Sequence, residues 1–201
     1  MTFGLSFGLT LITITWLTSY LRIGGRLPSV TLGIFAADCV AEAGGITVQA
    51  WRHVPSHFNR ETALDSSVST LLAVGGAVLI ATLVVFAVRA FRGDPALAPS
   101  MQLALRAGFV TLLIGLASCA AMIARGVAQV NSGHQQSAYV VGGFLKPVHG
   151  VSLHGVLVLP LPAWLLARAD LSERRRTRIV ALGAAGYALA IAGALALSLL
   201  G

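Results

Sequence analysis

The feature that most constrains this chain is a series of six apolar segments, each long enough to cross a membrane as a helix. A crossing needs about 20 residues, because a helix rises about 1.5 Å per residue through a hydrocarbon layer of about 30 Å. Charged residues make up only 10% of the 201 residues, against about 25% in a soluble domain. The pattern predicts an all-α, polytopic membrane protein, a bundle of about six transmembrane helices in one domain (1–201), with crossings at about 3–21, 29–51, 67–91, 102–125, 147–168 and 178–200.

The basic residues are distributed unevenly between the connections, and this asymmetry predicts the orientation. Four of them lie in connections two and four (Arg52, Arg60, Arg125 and Lys146), and ten lie in connections one, three and five (Arg22, Arg26, Arg89, Arg92, Arg106, Arg168, Arg174, Arg175, Arg176 and Arg178). The side with ten is expected to be cytoplasmic, which puts both termini and all five histidines outside. The net charge of +7 therefore indicates orientation and anionic headgroups rather than nucleic acid. Arg106 is expected to have such an interfacial role.

Polar residues follow one face of the second segment. Asp38, Glu42, Gly45, Gln49 and His53 are spaced by four, three, four and four, which is helical spacing, and Arg52 is the alternative to His53 as the last member. An aspartate at the centre of a spanning helix costs about 2.5–3.5 kcal/mol on insertion scales, so such residues usually face the protein interior. The face indicates either a functional site or a hydrogen bond that only holds two helices together.

After Trp51 the helix is expected to end, because Pro55 disfavours helical backbone at Val54. The following "SHFNRETALD" (56–65) is typical of a turn and a new helix, with Asn59 or Thr62 as its cap and Asp65 near its positive end. His57 and Phe58 have no such structural explanation, and we expect them on a short loop over the polar face. The later stretch 130–143, which contains His134, is expected to be a polar loop on the same side.

The fifth segment, "LKPVHGVSLHGVLVLPLPAWLL" (145–166), carries two histidines. His149 and His154 are five residues apart and diverge by about 140° on an ideal helix, so both point inward only if the first turn is irregular. His154 lies about 10 Å from the helix start and Glu42 about 13 Å from Trp51, so the two are at similar depth. This predicts a contact between Glu42 and His154. Pro160 and Pro162 are expected to bend the helix further along.

Several of these motifs together resemble a family of bacterial integral membrane proteins that are mostly labelled uncharacterised. The resemblance rests on E-x6-Q-x2-R in segment two, "SHFN" with its following Thr and Asp, "LRAG" (105–108) and "HGVSLHG" (149–155). The opening segment is similar to that family's second helix, so the resemblance implies a preceding helix ending in K-P-x-K-F, which this sequence does not show. The first segment has neither a basic region before it nor a cleavage site after it, and we expect a retained helix.

The small helical build with a membrane-embedded acid is also similar to the integral membrane terpene cyclases of meroterpenoid pathways. That likeness implies cyclisation of a prenylated substrate, started by protonation from a carboxylic acid that an apolar pocket keeps neutral. The catalytic residues would be Glu42, Asp38, His154 and His57. Aromatic faces would stabilise the carbocation, and the substrate would be bound by Gln49, Trp51, Phe58, Asn59, Phe144, His149 and Trp164. No metal and no cofactor are predicted. The expected partners are membrane lipid and the prenylated molecule, in the inner membrane of a bacterium, with the site toward the extracytoplasmic side.

Two alternatives use the same residues differently. Two histidines on neighbouring helices can ligate a b-type haem, with His57 and His154, or His149 and His154, as the ligands of an electron carrier. The third hypothesis is a proton-coupled sensor or transport module built on the acids of segment two. The oligomeric state stays open.

Overall fold

The computed structural model describes residues 2–21, 26–141 and 143–200, and the regular elements in these ranges are helices. Five helical stretches are long and apolar enough to cross a membrane, and a sixth apolar helix near the start is shorter. The chain is a polytopic helical membrane protein, as the sequence predicts. Its helices are α1 (Thr2–Thr18), α2 (Leu27–Trp51), α3 (Ala63–Arg92), α4 (Pro99–Asn131), α5 (Gln135–Val141), α6 (Lys146–Val158), α7 (Pro160–Leu166) and α8 (Glu173–Leu200).

Two local features differ from six uninterrupted helices joined by loops. The fifth crossing is interrupted at Leu159, between α6 and α7, because Pro160 has no N–H to continue the helical hydrogen bonds. The Leu159 backbone itself stays helical, at φ −86 and ψ −44, and the expected bend stays a prediction. The stretch 130–143 is not an open loop, since α4 continues to Asn131 and α5 follows. Gly133, at φ +80, ends α4, and the His134 N–H donates to the Gln129 carbonyl.

The chain divides into two compact units. Unit 1 comprises Met1–Phe86 and Ala124–Gly142, and unit 2 comprises Ala87–Ile123 and Gly143–Gly201. Helices α3 and α4 each contribute to both units. The prediction of a single domain stays a prediction. Arg22, one of the ten basic residues used for the orientation, lies outside the described residues.

Unit 1 is organised around α2. Helix α1 packs against α2, and α3 runs antiparallel to α2, because residue 49 lies beside residue 65 and residues 38 and 42 lie beside residue 75. Gly45 allows close approach, since a Cβ there would lie 2.8 Å from the Leu72 side chain. This register brings the polar face of α2 against α3.

Unit 2 is organised around the contact of α6 with α8, at a small cluster of Val148, Ile191 and Ala194. The Tyr187 hydroxyl of α8 donates to the Val151 carbonyl of α6 at 2.6 Å. Gly155 permits still closer packing, because a Cβ there would overlap the Thr111 side chain and lie 2.9 Å from Tyr187 Cε1. Unit 2 therefore depends on a small residue at position 155.

We expect Gly155→Ala to lower the free energy of unfolding by about 1–3 kcal/mol, because the added methyl group overpacks a site that is already filled. The measurement is thermal unfolding of the purified protein in detergent. The matched control is Gly150→Ala on the same helix, where an added Cβ meets nothing within 4 Å. Equal unfolding temperatures for the two variants would contradict this account of the packing.

Candidate functional site

The end of α2 is closed by a turn with an unusual backbone. The Val54 N–H donates to the Gln49 carbonyl at 3.1 Å, and His53 has φ 56. This is the left-handed closure in which glycine is usual, because a side chain is disfavoured at positive φ. The closure points the chain back over the end of α2 and toward the start of α3.

A buried polar network joins the end of α2 to the start of α3. The Asp65 carboxylate accepts hydrogen bonds from Gln49 Nε2 at 3.0 Å, from Arg52 Nη1 at 2.6 Å and from Thr62 Oγ1 at 2.6 Å. Arg52 Nη1 also donates to Gln49 Oε1. The side chains of Gln49 and Asp65 are 0% and 1% exposed. Every polar group of Asp65 therefore has a partner, as a buried charge requires.

Thr62 is the cap of α3, as the sequence predicts. Its Oγ1 accepts the Asp65 backbone N–H at 3.1 Å, while the Asp65 side chain accepts the Thr62 hydroxyl. The pair differs from a capping box, because Asp65 accepts the Thr62 hydroxyl and not the Thr62 backbone N–H. The E-x6-Q-x2-R and SHFN-T-D motifs thus include a structural joint between two helices. The expected role of Gln49 in binding a substrate stays a prediction.

The loop of residues 52–62 is tightly packed for an exposed connection. Asn59 is fully buried, its Oδ1 accepts the Glu61 N–H, and its backbone carbonyl accepts the Ser69 hydroxyl at 2.9 Å. Phe58 has φ 63. Its ring packs against Gly126, where an added Cβ would lie only 2.6 Å from the Phe58 Cζ atom. A bulky residue at positive φ is rare. The contact with Gly126 holds Phe58 in this conformation.

Asp38 and Glu42 form a pair of carboxyl groups, here called the acid pair, one turn apart on the face of α2 that meets α3. They are 9% and 5% exposed. An added Cβ at Gly75 would lie 2.8 Å from Asp38 Oδ1 and 2.8 Å from Glu42 Oε1, so these oxygens are at most twice 2.8 Å apart. Among the described residues, Asp38 Oδ2 and Glu42 Oε1 have no hydrogen-bond partner. The acid pair thus differs from Asp65, whose buried carboxylate accepts three side-chain hydrogen bonds.

The histidines of α6 are divergent, as their spacing predicts. His149 is half-buried, and its Nδ1 lies 2.9 Å from the Gly115 carbonyl of α4. His154 is exposed, and its Nδ1 lies 2.6 Å from the Gly150 carbonyl of its own helix. In each ring the hydrogen bond to a carbonyl requires the proton on Nδ1, which leaves Nε2 as an acceptor. Ligation of haem by these rings and the contact of His154 with Glu42 both stay predictions.

The aromatic residues expected to line a pocket lie in different surroundings. The Trp51 side chain is 77% exposed. Trp164 lies under the guanidinium of Arg168, whose Cζ is 3.4 Å from the ring centroid, and Phe144 is half-buried at the turn before α6. Phe35, which the sequence analysis did not select, is fully buried three residues before Asp38 and on the same face of α2. The spacing of three and four that revealed the acid pair would also have revealed Phe35.

Comparison of the chain with family models, with curated proteins and with solved structures found no match in any of the three.

The joint at Asp65 predicts a large effect on stability. Asp65→Ala leaves Gln49, Arg52 and Thr62 without their shared acceptor, and we expect the free energy of unfolding to fall by about 2–4 kcal/mol. Glu61→Ala, four residues earlier, removes an exposed carboxyl group and should change stability by less than about 0.5 kcal/mol. The measurement is thermal or denaturant unfolding in detergent. The network would be shown to be dispensable if Asp65→Ala unfolded at the same temperature as Glu61→Ala.

The loop of residues 52–62 predicts a pH dependence. Burial lowers the pKa of His57 from its ordinary 6.5, because desolvation disfavours the charged ring. The unfolded chain then binds more protons than the folded one between 6.5 and the lower folded pKa. His57 therefore does not lower the free energy of unfolding well above pH 6.5, and it lowers this free energy progressively as the pH falls through the window.

We expect His57→Gln to weaken this slope, measured as the unfolding temperature against pH. The control is His134→Gln, at a position that is exposed. Identical slopes for the wild type and His57→Gln would contradict the assignment to His57.

Proposed function

We propose that the protein is a proton-coupled membrane module in which the acid pair takes up and releases a proton inside the bilayer. The observation that carries the proposal is the placement of Asp38 and Glu42 side by side over Gly75, with buried oxygens that have no hydrogen-bond partner. An isolated carboxylate is very unfavourable in an apolar medium and takes up a proton instead. Acids that serve only to join helices would be expected to have partners, as Asp65 has.

The short distance between the carboxyl groups supports a shared proton. At a separation of twice 2.8 Å, two carboxylates repel each other by about 3 kcal/mol if the effective dielectric constant is about 20. At least one of the pair is therefore expected to be protonated, and the two titrate together rather than independently. Loss of the shared proton would place uncompensated charge between α2 and α3.

The position of the acid pair supports a coupling mechanism. The two carboxyl groups lie close against α3 at Gly75, where even a Cβ would lie only 2.8 Å from an oxygen of each. A negative charge at this contact would therefore favour a different packing of α2 against α3. Protonation would then select one of two helix arrangements, which is the minimum that a sensor or a coupled transporter needs. The distribution of basic residues supports the extracytoplasmic side for the pair, and the resemblance of the motifs to those of bacterial integral membrane proteins supports a bacterial plasma membrane.

The proposal predicts an infrared signal from a protonated carboxylic acid in the reconstituted protein at neutral pH. We expect this carbonyl band to disappear on titration with alkali, to shift in Glu42→Gln and in Asp38→Asn, where one buried acid remains, and to be absent when both substitutions are combined. Gly75→Ala should shift the band, since the new methyl group would lie 2.8 Å from both oxygens.

Two matched variants serve as controls. Gly76→Ala adds the same methyl group one residue away, where nothing lies within 4 Å, and Glu61→Gln removes an exposed acid. Both should leave the band unchanged. Absence of the band from the wild type, or an unchanged band in both Glu42→Gln and Asp38→Asn, would refute a shared proton.

A second function would use the same proton in catalysis, and the position of Phe35 favours it. A fully buried aromatic ring on the face that carries the acid pair could stabilise a carbocation through its ring face. The acid would transfer its proton to a double bond of a prenylated substrate, leaving a carboxylate and a carbocation. Loss of a proton from the cyclised cation to the carboxylate would restore the acid.

The test of cyclisation is turnover of prenylated acceptors by membranes that contain the protein. Glu42→Gln should abolish turnover, and Phe35→Leu should reduce it while leaving the infrared band in place. Full turnover in Glu42→Gln would exclude the catalytic use of the acid without affecting the infrared test of the shared proton.

A further inference from the structure

A groove of about 340 Å³ opens along the spanning part of unit 2. One wall is formed by α8, where Ala184 and Ala188 leave space in front of Ile191, and the other by Val110 and Ile114 of α4. Leu159, at the break between α6 and α7, also lines it. These side chains are apolar and belong to segments that cross the membrane. A groove of this composition at this depth suits a hydrocarbon chain.

Arg106 stands at the arginine-rich end of the groove. It precedes Val110 by four residues, so it lies on the same side of α4, and side chains on a helix lean toward its N-terminus. Its Nε is buried without a hydrogen-bond partner among the described residues, and an Nη lies beside Gly93. Arg176 also has a buried Nε without a partner among the described residues, but its Nη2 donates to the Ala169 carbonyl at 2.9 Å and its Nη1 lies 3.7 Å from Glu173 Oε2. The Nε–H of Arg106 is therefore open to an acceptor that the described residues do not supply.

The charge around Arg106 is strongly positive. The Ser100 N–H donates to Glu173 Oε1 at 2.7 Å, which places the start of α4 beside the start of α8. Unit 2 contains three acidic residues (Asp94, Asp170 and Glu173) and eight arginines (Arg89, Arg92, Arg106, Arg168, Arg174, Arg175, Arg176 and Arg178). Clusters of this kind next to a spanning helix attract anionic headgroups.

We propose that unit 2 binds one anionic phospholipid, with an acyl chain in the groove and its phosphate on Arg106. The apolar walls match the chain, and the excess of arginine at one end matches the phosphate, which a guanidinium can bind through two hydrogen bonds. The site is separate from the acid pair and does not rest on the proposed proton coupling. The acyl chain would fill the space between α4 and α8.

The experiment is native mass spectrometry of the purified full chain, titrated in detergent with phosphatidylglycerol and with phosphatidylcholine of the same acyl chains. We expect about tenfold tighter binding of phosphatidylglycerol, the size expected for one charge-assisted contact. Arg106→Gln should remove this preference. Arg60→Gln removes the same charge from the exposed 52–62 loop of unit 1 and should keep the preference.

The groove itself is tested on α8. Ala188→Phe fills it and should weaken binding of both lipids by about tenfold, the loss of about two buried methylene groups. Leu189→Phe, at a side chain that is 74% exposed, should not. Ala184→Leu fills the groove one turn away and is the second test if Ala188→Phe does not fold. Equal affinity of the wild type for the two lipids, or equal affinities of the filled and control variants, would overturn the proposal.

Discussion

A hydrocarbon layer contains no water to pair with a buried oxygen, and this constraint governs the polar residues of unit 1. A carboxyl group between two spanning helices must either be supplied with donors or keep its proton. Both kinds of carboxyl group occur at the contact of α2 with α3. Asp65 has an arginine, an amide and a hydroxyl, whereas Asp38 and Glu42 face the backbone of a glycine.

The two cases depend on each other through the register of α2 against α3. The Asp65 network joins the end of α2 to the start of α3. The contact of Leu72 with Gly45, about one turn further from this end, sets the distance between the two helices. Only with that register does Gly75 come to lie opposite the acid pair. The joint at the membrane surface thereby determines what the acids meet at depth, although it touches neither of them.

Much of this arrangement can be predicted from the sequence, because the relevant signals are local. The apolar spans, the cap at Thr62 and the break before Pro160 each depend on a few neighbouring residues. The polar face of α2 is also local, since helical spacing shows that Asp38, Glu42 and Gln49 share a side. Helical spacing does not say which side chain of another helix lies opposite.

The partners across helices were accordingly the part that could not be predicted. Gln49 and Arg52 were grouped with the acids on spacing alone, yet they bind Asp65, sixteen and thirteen residues further along. Nothing in the sequence pairs Phe58 with Gly126, because that contact joins residues far apart in the chain through a strained backbone. Phe35 is a different case, because its spacing of three from Asp38 was already present in the sequence and only its apolar character kept it from standing out in a spanning segment.

The packing of Phe58 against Gly126 has a consequence for the local unfolding of this part of the protein. Loss of this contact would free the backbone at φ 63 to relax, and the next residue is Asn59, whose carbonyl accepts the Ser69 hydroxyl of α3. The 52–62 loop, the beginning of α3 and the far end of α4 should therefore become accessible to solvent in a single event. Amide hydrogens across these three segments would then exchange at a common rate, as one cooperative unit of local unfolding.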